Sequence, residues 1–208
     1  MMNVGMIGAG NVGRSLTKAS TQAGHRVAVS AASKAEAEEV SSEVGGTAVA
    51  SNREAVANAD IVILAVPFDA VESIVRELGS ELDGKVVIDV TNKFEPTQLG
   101  GLSNAEQTQQ MAPNARVVKA FNTVFAAKQS DPAIDGIQLD GFVAADDSDA
   151  KSKVIEFVQS LGFKPIDAGP LAMARALEGM GMLNISLNKN NGWPWQSGWK
   201  LLGPTGDA

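Results

Sequence analysis

Gly8-Ala9-Gly10-Asn11-Val12-Gly13 is the first run whose residue types and spacing imply chemistry. It fits G-x-G-x-x-G, in which the first glycine permits a tight turn, the second lets a pyrophosphate approach the backbone, and the third lets a helix pack close to a strand. Val4 to Ile7 before it is a short apolar run, and Val12, Leu16, Ala19 and Ala23 after it recur at spacings of three and four. The period therefore changes from strand to helix across the turn. A helix starting there offers unpaired amides and the positive end of its dipole to an anion. The reading is a dinucleotide site, with an ordinary glycine-rich turn as the alternative. Arg14 is either a further contact to the cofactor or a surface residue.

A chain that selects NAD places Asp or Glu about twenty residues further on, against the ribose hydroxyls. Here that stretch is Ser30-Ala31-Ala32-Ser33-Lys34, with no carboxylate before Glu36. A ribose phosphate would meet two hydroxyls and an ammonium, so NADP(H) is expected, held by Ser30, Ser33 and Lys34. The plainer account has Ser33 capping the helix that Lys34 begins.

Ligands of such sheets lie beyond the carboxyl ends of the strands. Val66-Pro67-Phe68, Thr91-Asn92-Lys93 and Lys119-Ala120-Phe121-Asn122-Thr123 follow three successive apolar runs. They supply the mixture a nicotinamide needs: Val66 and Pro67 to wall the ring, and Asn92, Asn122 or Thr123 to pin its carboxamide. Lys119 is read as a proton donor or as a donor to a backbone carbonyl. The single histidine, His25, stands before the second strand and reads as structural. A mechanism needing alignment more than acid or base chemistry fits this inventory.

The elements that must position these groups alternate. Strands are expected at 4–7, 26–30, 47–50, 60–67, 86–90, 116–120, 141–144 and 163–166. Helices are expected at 11–23, 34–44, after Ser51, at 70–78, 148–160 and 171–187. Residues 92–111 are expected to form a loop, with Pro96 and Gly100, and then a short helix. Ile61 to Val66 does not alternate, as in a central strand covered on both faces. Right-handed crossovers make the whole a Rossmann-type, doubly wound parallel sheet. The expected organisation is an NADP-binding domain over residues 1–166, with a small C-terminal helical part and Trp-rich tail over 167–208 closing the cleft.

Seventeen Lys and Arg against twenty-four Asp and Glu give a net charge of −7, which disfavours nucleic acid and anionic membrane surfaces as partners. No apolar run approaches the length of a membrane span. The start, Met1 to Ile7, lacks the basic segment of an export signal. The absence of cysteine excludes disulfides, thiolate metal sites and thiol nucleophiles. A cytoplasmic location is expected.

Taken together, the glycine turn, Gly24-His25, Val66-Pro67, Val118 to Thr123, Ala144 to Asp147, Asp167 to Leu171 and Arg175 to Glu178 resemble, in the same order, the F420-dependent NADP oxidoreductase family. The likeness spans about residues 3–188 and extends to the NADPH-binding domain of membrane ferric reductases. It implies NADP(H) on the amino-terminal part, hydride transfer between nicotinamide C4 and a deazaflavin (F420) or flavin cosubstrate, and a homodimer. Ala31, Ala32 and Ser33 stand where the archetypal phosphate loop has Ser and adjacent Arg. Ala120 to Val124 differs from the Leu-His-Thr-Ile-Pro of proven deazaflavin users.

The acceptor is expected beside Pro67, Asn122, Thr123, Gly169 and Pro170. In the last helix, Leu171, Ala174, Leu177 and Gly181, with Leu183 and Leu187, read as a core-facing stripe. Gly179 and Gly181 read as points of close approach, and Arg175 and Glu178 as a local ion pair. Trp193, Trp195 and Trp199 read as lining the cleft, a dimer interface or the subunit's own core. Two other functions are carried: an NADPH-dependent reductase of a small carbonyl or imine, and an NADP-sensing regulatory protein.

Overall fold

The computed structural model describes residues 1–92 and 101–203. The expected loop residues Lys93, Pro96 and Gly100 lie outside them. Six strands carry the amino-terminal part: β1 (Asn3–Ile7), β2 (Arg26–Ser30), β3 (Thr47–Ala48), β4 (Ile61–Leu64), β5 (Val86–Asp89) and β6 (Arg116–Ala120). Between or after them run α1 (Asn11–Gln22), α2 (Lys34–Val44), α3 (Asn52–Ala57), α4 (Phe68–Leu78), α5 (Asn104–Met111) and α6 (Ala126–Gln129). A hairpin of β7 (Ala133–Ile134) and β8 (Ile137–Gln138) precedes β9 (Asp140–Ala145), α7 (Ser148–Ser160), β10 (Lys164–Gly169) and α8 (Ala174–Asn191).

The main sheet has the order β10-β9-β6-β5-β4-β1-β2-β3. β1 to β6 are parallel, as expected of a Rossmann-type fold, but β9 pairs antiparallel with β6, Val118 facing Ala145. β10 lies parallel to β9. The wholly parallel expectation is corrected here, because antiparallel pairing lets the chain return along β6 without a crossover helix. The expected division after residue 166 falls inside β10.

Every residue of β4 has no exposed surface, which explains its unbroken apolar run. One core face joins Leu16, Val29 and Val40 to Phe157 and Phe163; the other joins Leu64, Val71 and Leu78 to Val117 and Leu171. Each such side chain contributes about 1.5–3 kcal/mol by leaving water. Ser33 caps α2 through a reciprocal bond with Glu36, which fixes where that helix starts. Pro67 stands immediately before α4, so the helix begins at Phe68, two residues earlier than expected.

α8 buries Ala174, Leu177, Glu178, Gly181, Asn184 and Asn188. Leu183 and Leu187, expected in the core stripe, are instead 49% and 36% exposed. Their helical spacing was real, but it carries them round to the outer face.

Candidate active site

Gly8 turns with φ +114°, and a Cβ there would stand 2.2 Å from the Ala65 carbonyl oxygen. A Cβ on Gly13 would stand 2.0 Å from the Gly8 carbonyl oxygen, so α1 rests directly on the turn. Gly10 differs: no atom lies within 4 Å of its Cβ position. It is the N-cap of α1, no side chain caps that end, and the first turn holds no acid. The open space therefore faces unshielded amides, where a pyrophosphate fits. Asn11 and Val12 begin the helix, and Ala9 and Gly10 line a groove of about 450 Å³ that extends past Arg14 and Ala32 to Val66 and Pro67.

At the ribose end, Ser30 is buried and its hydroxyl donates to Asn52 Oδ1 at 2.8 Å. The Ser33 hydroxyl accepts from the Glu36 amide at 3.3 Å, which is the capping role. Lys34 is open to solvent, its Nζ 3.3 Å from Glu38. Arg14 reaches Glu39 at 3.0 Å and also pairs with Glu43. Exposed pairs of this kind hold their cations by only about 0–1 kcal/mol, so a phosphate can recruit Lys34 or Arg14 at small cost.

The ends of β5 and β6 carry a buried polar layer that the sequence reading had not assembled. Lys119 has no exposed surface, and its Nζ donates to Asp89 Oδ1 at 3.0 Å, Glu178 Oε1 at 2.8 Å and the Thr91 carbonyl at 2.6 Å. Thr108 and Thr91 donate to Asp89, and the Asn104 amide donates to Glu178 Oε1 at 2.8 Å. Burial works to raise the Asp89 pKa, but the Lys119 ammonium and the threonine bonds outweigh it and hold the carboxyl below its ordinary value. Glu178 is pushed up, by burial first, with Lys119 opposing and the Asp89 charge adding. Of the two readings of Lys119, the geometry fits the bond to a carbonyl: its three donors are spent on two carboxylates and the Thr91 carbonyl.

Immediately beyond, Phe121 takes φ +63°, strained for a side chain of that size, and turns Asn122 and Thr123 back over the strand end. Asn122 Nδ2 donates to Asn92 Oδ1 at 2.8 Å and to the Leu177 carbonyl at 2.9 Å, while Asn92 Nδ2 donates to the Asn122 carbonyl at 2.8 Å. Asn122 Oδ1 is buried without a partner. Gly181 lies against this pair, its Cβ position 2.6 Å from Asn92 Oδ1, whereas Gly179 faces open space. Asn92, Asn122 and Thr123 are thus brought to the carboxyl edge that also carries Pro67.

Other expected groupings separate. Arg175 does not pair with Glu178; it binds Glu106 with two bonds of 2.8 and 2.6 Å and, with Ser103, draws that carboxyl's pKa down to about 2. Because β10 runs against β1 to β6, Gly169 and Pro170 lead the chain away from the carboxyl edge, and Leu171 is tied there to Asp146 by a 2.9 Å bond. His25 accepts from the Met2 amide at 3.0 Å, meets Ser160 Oγ at 2.8 Å and packs edge-on against Phe157, consistent with its structural reading. Trp193 and Trp195 are 45% and 44% exposed, Trp195 also standing edge-on to Phe125. Trp199 is half-buried, beside the bond from the Asp140 amide to its carbonyl. Among the described residues no cluster suited to a metal ion occurs.

A mostly parallel, helix-covered sheet with an open glycine turn at a helix amino terminus defines a Rossmann-type dinucleotide-binding protein. The model of the family described as NADP oxidoreductase, coenzyme F420-dependent, matches residues 3–93. The F420-dependent NADP reductase of Methanothermobacter marburgensis is 32% identical over 156 residues, 68% of either chain. The metalloreductase STEAP3 of Rattus norvegicus is 33% identical over 177 residues, 84% of this chain but 35% of that protein. The chain thus spans about a third of the length of the curated metalloreductases it matches. The crystal structure of a provisionally assigned F420-dependent NADP reductase from Arthrobacter sp. FB24 superposes with a TM-score of 0.86 at 26% identity, covering 98% of this chain and all of that one. The chain belongs to the F420-dependent NADP reductase family.

Proposed function

We propose that the chain is an NADP(H)-dependent oxidoreductase that transfers hydride between NADPH and a deazaflavin (F420) or flavin cosubstrate. The observation that carries this reading is the open space at Gly10 over the uncapped start of α1, in a chain of this family. Gly8 to Gly13 hold the pyrophosphate. Lys34, Arg14 and the start of α2 receive the ribose phosphate, with Ser30 and Ser33 shaping that loop. Val66 and Pro67 wall the nicotinamide, and Asn92, Asn122 and Thr123 orient its carboxamide.

When bound, NADPH supplies a hydride from nicotinamide C4; the residues around it fix distance and angle and exclude water. The acceptor lies against Pro67, Asn122 and Thr123, with α8 packed beside Asn122, while Gly169 and Pro170, which leave the sheet at its opposite edge, take no part in that cleft. No step needs a protein acid beside the ring, in keeping with a Lys119 already committed to Asp89 and Glu178.

Among the described residues no helix is long and apolar enough to cross a membrane. We place the chain in the cytoplasm, acting on a small-molecule cosubstrate without nucleic acid. It works as a homodimer through the exposed face of α8, on which Leu183 and Leu187 stand in water, with Met173 and Trp193 exposed just before and just after the helix. Titration of NADPH and NADH should show NADPH binding at least about tenfold tighter. Consumption of NADPH should then follow on adding F420, FMN, FAD or riboflavin. Equal affinity for the two nucleotides, or turnover with a small imine and none with any ring acceptor, would overturn the reading.

A further inference from the structure

One turn of α8 meets the polar groups at the ends of β5 and β6. Leu177 offers its carbonyl to Asn122 Nδ2 at 2.9 Å. Glu178, 1% exposed, accepts through Oε1 from Lys119 Nζ and the Asn104 amide, both at 2.8 Å. Gly181 presses its Cα side against the Asn92 carboxamide. Within the Asn92–Asn122 pair each carboxamide nitrogen donates to the other residue, and Asn122 Oδ1 is left buried without a partner.

Such a turn has to be held to a fraction of an ångström, because a displaced Leu177 carbonyl releases the Asn122 amide to rotate. α8 has little apolar grip with which to do this: beyond Leu177 its fully buried positions before Asn188 are Glu178, Gly181 and Asn184, and its apolar Met180, Met182 and Ile185 are only half-buried. The polar bonds of Glu178 replace that grip. They are directional and made to a fixed cation, and burial strengthens them relative to solvent-exposed ones.

We propose that Glu178 is a positioning residue for the nicotinamide end of the nucleotide: by fastening α8 to Lys119 and Asn104 it sets Leu177 and Gly181, and through them the orientation of Asn122 Oδ1 toward the nicotinamide carboxamide. Glu178 does not itself touch the nucleotide. The inference rests on the NADP(H) reading above.

The test separates the two halves of the nucleotide. Dissociation constants are measured for NADPH, which engages the whole groove, and for adenosine 2′,5′-bisphosphate, which lacks the nicotinamide. Glu178→Gln keeps the shape and weakens the fastening. It should raise the NADPH constant about tenfold, a lost well-made hydrogen bond, and leave the bisphosphate constant unchanged. In an Asn122→Ala background the same substitution should add almost nothing, since its effect is routed through Asn122.

Gly181→Ala provides a second route that leaves the ion pairs untouched and favours the helix. It displaces Asn92 directly and should give the same selective loss, so the proposal remains testable if Glu178→Gln does not fold. Equal weakening of both ligands, no weakening of either, or full additivity with Asn122→Ala would overturn the positioning role. Failure of the unmodified protein to bind either ligand would instead remove the NADP(H) reading on which it rests.

Discussion

At the Gly8 to Gly13 turn the chain leaves a helix amino terminus uncapped and a space empty of side chains, whereas beneath α8 it surrounds one ammonium with two carboxylates and a carbonyl, one of those carboxylates also accepting from an asparagine amide. The first region binds with backbone and is sensitive to any added atom. The second positions with side chains and is sensitive to any lost charge. A site assembled from both can grip a constant phosphate group rigidly while its ring end is set by a helix contributed from the far end of the chain.

The comparison predicts different failures. Lys119→Met leaves Asp89 and Glu178 buried without their cation, and should cost about 3–5 kcal/mol in urea unfolding. Adding Glu178→Leu should restore a good part of that loss, which would show that the cost is uncompensated charge more than packing. Gly13→Ala drives a Cβ into the Gly8 carbonyl and should cost about 1–3 kcal/mol while also weakening NADPH. Gly10→Ala meets nothing in the protein, so the urea midpoint should hold and NADPH affinity should fall by about a hundredfold. Equal behaviour of these two variants in both assays would break the contrast between them.

The fold was legible where local rules act alone. α2 and α7 occupy the expected 34–44 and 148–160, fixed by Ser33 and by the Asp147 cap, and β6 occupies the expected 116–120. The direction of β9 was not legible, because a strand buried among neighbours reads the same whichever way it runs. The β7–β8 hairpin was missed, although Asp135-Gly136 with φ of +51° and +78° is the turn its sequence encodes. The strand, turn and helix around Gly8 to Gly13 were legible because their residues are contiguous. Asp89, Lys119 and Glu178 lie on two strands and a distant helix, with no periodicity to join them.

Acid should expose the Glu106–Arg175 link that ties α5 to α8. With its pKa held near 2 against an ordinary 4.5, Glu106 contributes stability that is complete above 4.5 and is lost as the pH falls toward 2. Arg175→Ala should flatten that part of the acid unfolding profile, and an unchanged profile would remove the link from the account. The smallest effect belongs to His25, whose pKa is lowered by burial first and then by the positive amino terminus. Its neutral form is favoured in the folded chain, so stability falls as the pH drops below the ordinary 6.5 and the unfolded chain takes up the proton first. His25→Gln should remove that slope and leave turnover within about a few-fold of the unmodified protein.

Hydride transfer itself is followed most directly in a single turnover with NADPH carrying deuterium at nicotinamide C4, mixed with F420 or, separately, FMN. Deuterium recovered at C5 of reduced F420, or, with FMN, whose reduced nitrogen exchanges its hydrogen with water, transfer slowed by the heavier isotope, is the result predicted. NADPH bound at the groove but unconsumed in the presence of every ring acceptor, with its deuterium retained, would contradict it.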